Sequence, residues 1–73
     1  VSSSQRRTLE VFLALRLLHR RAPTLMELAR SLRVTRQAVH YRLHWLEKKG
    51  LWNGSGRTIT EPGLRSALDA LTR

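Results

Sequence analysis

Residues 24–52, TLMELARSLRVTRQAVHYRLHWLEKKGLW, decide how this chain is read. Thr24 followed three residues later by Glu27 is a capping box, in which the hydroxyl accepts an amide hydrogen bond and the carboxylate returns one. Leu25, Leu28, Ala29 and Leu32 then recur at helical spacing and give a short helix one buried face. Arg33 and Val34 make a turn, and Thr35 can cap a second helix over residues 36–49 that stops at Gly50. Its inward side is Ala38, Val39, Leu43 and Leu46, while Arg36, Gln37, His40, Tyr41 and His44 lie on or beside the opposite side. The stretch predicts two short helices joined by a tight turn, the second with a polar outer face.

On the N-terminal side, residues 4–20 are periodic enough for a helix of four to five turns, with Ser2 or Ser3 as cap and Gln5 completing a capping box with Ser2. Projected at about 100° per residue, Val11, Phe12, Leu15 and Leu18 form one apolar stripe and Leu9, Leu13 and Leu17 a second. Two stripes call for two neighbours. Pro23 ends this helix, because it disfavours helical geometry in the residue before it and lacks an amide proton. On the C-terminal side, Leu51 with Trp52 and the run Arg57 to Thr60 are short strand candidates around Asn53, Gly54, Ser55 and Gly56, a small hairpin. Thr60 then caps a last helix with Pro62 in its first turn and Leu64, Ala67, Leu68 and Leu71 on one face. The expected fold class is mainly α with a small β-hairpin, as one domain over residues 1–73.

Composition narrows the partners. The chain has 73 residues, too few for an enclosed active site beside a core of its own. Lys and Arg number 14 against 5 Asp and Glu, for a formal net charge of +9, and all but Lys48 and Lys49 of the cations are Arg. Guanidinium matches phosphates and guanine edges, so a polyanionic partner is expected. The absence of cysteine removes disulfides and thiolate metal sites and fits a reducing compartment. No apolar run approaches the roughly 20 residues of a membrane span, and the first residues lack a signal peptide's apolar core, so no membrane association and a cytoplasmic location are expected.

The chain resembles a winged helix-turn-helix DNA-binding domain of the bacterial repressor type, and within it the N-terminal DNA-binding domain of LexA repressors. The likeness is carried by Gln5 to Phe12 (QRRTLEVF), by Pro23 and Thr24 with Glu27, Leu28 and Ala29, and by Ala38 and Val39 through Leu43, Leu46 and the run Glu47 to Leu51. The tail departs from it. Ile59 to Leu64 followed by a helix resembles the strand-to-helix exit of MarR-like regulators. LexA's self-cleaving half has no counterpart here, so its protease chemistry is not carried over.

The resemblance implies a three-helix core, a short wing over residues 53–57 and a C-terminal helix, with helix 36–49 in the major groove of double-stranded DNA. A groove-reading helix must keep an apolar side for its core and show polar side chains outward, which this one does. Gln37 suits adenine, Arg36 guanine or a phosphate, and His40, Tyr41 and His44 bases or backbone further along. Thr35 is expected as cap and phosphate contact. Arg57 resembles the wing residue that reaches a phosphate or the minor groove, with Asn53 and Ser55 as weaker candidates, and Arg33 and Lys48 can add phosphate contacts. The competing reading of this face is a solvated helix surface. Trp52 is expected to cover the core, and Trp45 to fill the gap beside the hairpin, with anchoring of a partner as its alternative.

Other chemistry is weaker. His40 and His44 stand at i and i+4, a zinc-compatible spacing, but only Glu47 offers a third ligand nearby, so no metal is expected. His19 reads as a partner of its helix's C-terminal dipole. The serines show no Ser/His/Asp spacing, and neither an enzyme nor a cofactor is expected. The function anticipated is a transcriptional regulator, a repressor by preference. A homodimer through Leu9, Leu13 and Leu17 or through Leu64, Leu68 and Leu71 would suit an inverted repeat, unless those faces bury each other. The alternatives are a protein-interaction or assembly module on the same fold, and the DNA-binding part of a replication or recombination protein.

Overall fold

A computed structural model describes residues 3–55 and 57–71, and the side chains among them up to residue 69. The order is α1 (Ser3–His19), α2 (Leu25–Leu32), α3 (Arg36–Lys48), β1 (Trp52–Asn53), β2 (Thr58–Ile59) and α4 (Glu61–Leu71). The two strands pair antiparallel, Trp52 opposite Ile59 and Asn53 opposite Thr58. The chain is mainly helical with a small hairpin, as expected. Among the described residues no helix is long and apolar enough to cross a membrane.

Each helix end has a local cause. The first helix stops one residue earlier than its periodicity suggests, because Arg20 adopts a left-handed conformation (φ 56°). The box of Ser2 with Gln5 falls partly outside the described residues, and the Gln5 side chain accepts from Lys49 Nζ at 2.7 Å. At α2 the expected box is complete: Glu27 N donates to Thr24 Oγ1 at 3.1 Å and Thr24 N to Glu27 Oε1 at 2.9 Å. Arg33, again left-handed (φ 58°), closes α2, and Val34 N donates to Ala29 O at 3.0 Å. Thr35 Oγ1 then accepts from Ala38 N at 3.1 Å and starts α3. That helix ends at Lys48, where Gly50 (φ 75°) permits a paired closure of Gly50 N on Glu47 O and Leu51 N on Leu46 O, both at 2.9 Å.

One core gathers all four helices and the hairpin. Leu9, Val11 and Phe12 of α1 meet Leu28 and Ala29 of α2, Val39, Leu43 and Leu46 of α3, Leu51 and Trp52 beyond it, and Ala67 of α4. Trp52 covers this core as expected, edge-on to Phe12 with ring centres 6.3 Å apart. The Thr8 hydroxyl is fully buried and donates to Ser4 O at 2.8 Å, whereas the buried Trp52 Nε1 has no hydrogen-bond partner among the described residues.

One expectation about the apolar faces needs correction. Leu9 is fully buried, so it cannot contribute to a contact between copies, whereas Leu17 and Leu18 at the far end of α1 are 69% and 74% exposed. Helix α4 buries its small residues Gly63 and Ala67, while Leu64 and Leu68 stay exposed. Leu71's side chain lies outside the described residues. The cause is the close approach at Gly63, where a Cβ would collide with the Leu51 carbonyl oxygen. Thr60 fixes that approach: its hydroxyl donates to Gly50 O at 2.6 Å and accepts from Gly63 N at 3.2 Å.

Candidate nucleic-acid interface

The outer side of α3 follows from its inner side. With Val39, Leu43 and Leu46 buried, helical geometry turns Arg36, Gln37, His40, Tyr41, His44 and Lys48 outward, and all six are exposed. The structure thus brings these expected residues onto one helix. Among the described residues none of them holds an ion pair. Thr35, at the start of the same helix, has its hydroxyl engaged as the cap, which leaves its exposed position beside the first amides of α3.

Trp45 belongs to this face and not to the core, contrary to expectation. It is 39% exposed, and its ring stands edge-on to Tyr41 (6.1 Å, 75°) and to His44 (5.8 Å, 74°). Such edge-to-face pairs add about 0.5–1.5 kcal/mol beyond burial and hold the rings in place. The signal was present in the sequence, because Tyr41 and Trp45 are four residues apart and must share a helix face.

The hairpin stands beside α3 across an open cleft lined by His40, His44, Glu47, Trp52, Ser55 and Arg57 among others, of about 480 Å³. Glu47 spans it at one end: its Oε2 accepts from Gly54 N at 2.8 Å. A Cβ at 54 would meet the Glu47 carboxylate, so a larger residue there would have to displace the end of that side chain. It also employs the carboxylate that the spacing offered as a third metal ligand, and among the described residues no group of three His, Cys, Asp or Glu is placed to hold a metal ion. Asn53 Oδ1 accepts from Ser55 N at 3.0 Å and shapes the turn, while Ser55 itself stays exposed.

Arg57 is not aimed outward from the hairpin as expected. Its backbone is left-handed (φ 51°), which places it in the turn before β2, and its Nη2 donates to Pro23 O at 3.0 Å. The guanidinium therefore ties the hairpin to the segment between α1 and α2 while still lining the cleft. Arg33 lies at the other end of α2, exposed, and is separated from this cleft.

Near the α2 start, the Arg21 guanidinium grips Glu27 through two hydrogen bonds of 2.8 and 3.0 Å. These bonds, and next the Thr24 amide, lower the Glu27 carboxyl from its ordinary 4.5 to about 2. The acid that could oppose an anion at this corner is thereby neutralised by its own neighbour. Family models, curated proteins and solved structures were all compared with the chain, and none matches it.

Proposed function

We propose that this chain is a winged helix-turn-helix DNA-binding module that acts as a transcriptional regulator, by preference a repressor. In this reading α3 enters the major groove and the hairpin lies over the adjoining backbone or minor groove. The observation that carries it is the outer face of α3: Arg36, Gln37, His40, Tyr41, His44 and Lys48 exposed together, without a carboxylate partner among the described residues, in a chain of net charge +9. Bidentate partners for purine edges and cations for phosphates are the groups direct readout uses. Trp45 and Tyr41 add planar surface beside them.

A domain this small reads few base pairs, so two copies on an inverted repeat are expected, with half-sites about one helical turn apart. The exposed leucines of α1 and α4, Leu13 at their margin with Leu17, Leu64 and Leu68, supply the apolar surface for such a pairing. A second reading is favoured by the aromatic group itself. Tyr41, His44 and Trp45 are also the kind of residues that anchor a protein partner, which would make the module a docking surface.

Selection of bound sites from a random duplex library separates the two. A DNA reader enriches a motif, and a palindromic motif supports two copies. Replacing Gln37 and His40 together by Ala should flatten base preference at two or three adjacent positions by about 1–3 kcal/mol each while the far-ultraviolet circular dichroism stays unchanged. Absence of any enrichment would turn the reading toward protein docking.

A further inference from the structure

On the side of α3 away from the hairpin, a second cleft of about 670 Å³ lies where the start of α1, the end of α2 and the middle of α3 meet. It is lined by Arg7, Arg33 and Arg42 together with Ser3, Ser4 and Ser31, and no acidic residue lines it. Three arginines thus border one space, and like charges repel one another unless an anion joins them. Arg7 has a carboxylate within reach, Glu10 at 3.6 Å, which belongs to the neighbouring groove and not to this cleft. Arg33 and Arg42 hold no ion pair among the described residues.

The positions are also held. Arg33 sits at the left-handed residue that closes α2, with its amide bonded to Arg30 O at 3.3 Å, so its backbone cannot swing away without opening the turn. Arg42 is half-buried on α3 between the buried Val39 and Leu46 turns. Ser3 and Ser31 add hydroxyl groups, and the cleft meets α1 at its N-terminal turn, the end of a helix that favours negative charge. Forked guanidinium donors with hydroxyls fit the tetrahedral oxygens of a phosphate group.

We propose that the α1–α2–α3 junction is an anion site that takes a phosphate group, supplied either by a DNA backbone or by a free phosphorylated small molecule. The duplex source rests on the DNA-binding reading above, and the free source does not. Because Arg42 is on the helix that would lie in the groove, a ligand here bears directly on how that helix is seated.

The test has two arms, with inorganic phosphate and a random duplex as the probes. In the first, amide and guanidinium NMR signals of the unmodified protein are followed on titration with phosphate at fixed ionic strength. Saturable shifts at Ser31, Arg33 and Arg42, weakened roughly tenfold or more in R33Q/R42Q, establish the site with a free phosphate source. In the second, the dependence of duplex affinity on salt is measured. A slope reduced by about 1.8 in R33Q/R42Q, about 0.9 per cation removed, with no such change in R65Q on α4 and retention in R42K, establishes a backbone phosphate as the source. Should R33Q/R42Q fail to fold, the shifts of the unmodified protein still locate or exclude the site. Steep duplex binding with an unaltered slope, and no phosphate shifts, overturns the anion site and leaves the DNA-binding reading standing. Binding of neither probe overturns both.

Discussion

Glu27 accepts three hydrogen bonds on two oxygens, two from the Arg21 guanidinium and one from the Thr24 amide. A carboxylate so held resists protonation, and its folded-state value of about 2 lies below the ordinary 4.5. The lowered value means that the group contributes stability above pH 4.5, and that this contribution is lost as pH falls through 4.5 toward about 2. Acid titration of the melting temperature should therefore fall across that window in the native protein. In Glu27→Gln the starting temperature should be lower and the decline across the same window shallower. An equally steep decline in the variant would place the acid-sensitive group elsewhere. The same corner was readable from the sequence only in part: the capping box follows from Thr24 and Glu27 being three apart, but Arg21 joins through the Pro23 turn, which spacing alone does not describe.

Among the elements, α4 packs along α1 with Ala67 in the core, and its first turn is set by one close backbone approach. Gly63 lies against the Leu51 carbonyl, and Thr60 bridges the end of α3 to the start of α4. In Gly63→Ala the helix-propensity gain of about 1 kcal/mol is outweighed by the collision with main chain, for a net loss on the order of 1–3 kcal/mol. It should appear as a lower urea midpoint with an unchanged slope; a midpoint at or above the native one would mean that α4 can shift without cost. Legibility of the elements divides along the same line. Helices α2 and α3 could be read from residues 24–52 because their caps, turn and apolar spacing are all local. The α4 face could not, since Leu64 and Leu68 share Ala67's side of a helical projection and only the fit of Gly63 against Leu51 decides that the small residues go inward. The anchoring of Arg57 was hidden for a similar reason: its bond to Pro23 O joins residues 34 apart in sequence. The outer face of α3 was legible as the complement of Val39, Leu43 and Leu46, whereas Arg42 drew no notice until α1 and α2 closed around it.

For the whole molecule, charge is distributed unevenly. Four of the five acids are occupied in this way: Glu10 faces Arg7, Glu27 faces Arg21, Glu61 faces Arg65, and Glu47 accepts the Gly54 amide. The outer side of α3 carries no such pairing among the described residues, so Arg36 and Lys48 there are cations without a carboxylate beside them. For a duplex ligand, log affinity should fall with log salt by about 0.9 for each phosphate neutralised. Titrations at several salt concentrations give that count, and a flat response would remove nucleic acid from the list of partners. The bond from Glu47 to Gly54 has a further consequence, which concerns time as much as shape. With Gly54 fastened to α3 and Thr60 clamped to Gly50, these two points of the hairpin are set before any ligand arrives. An encounter then spends little entropy on ordering this loop, so association should run near the pace of diffusion and orientation, and the heat capacity change should report buried surface without a folding component.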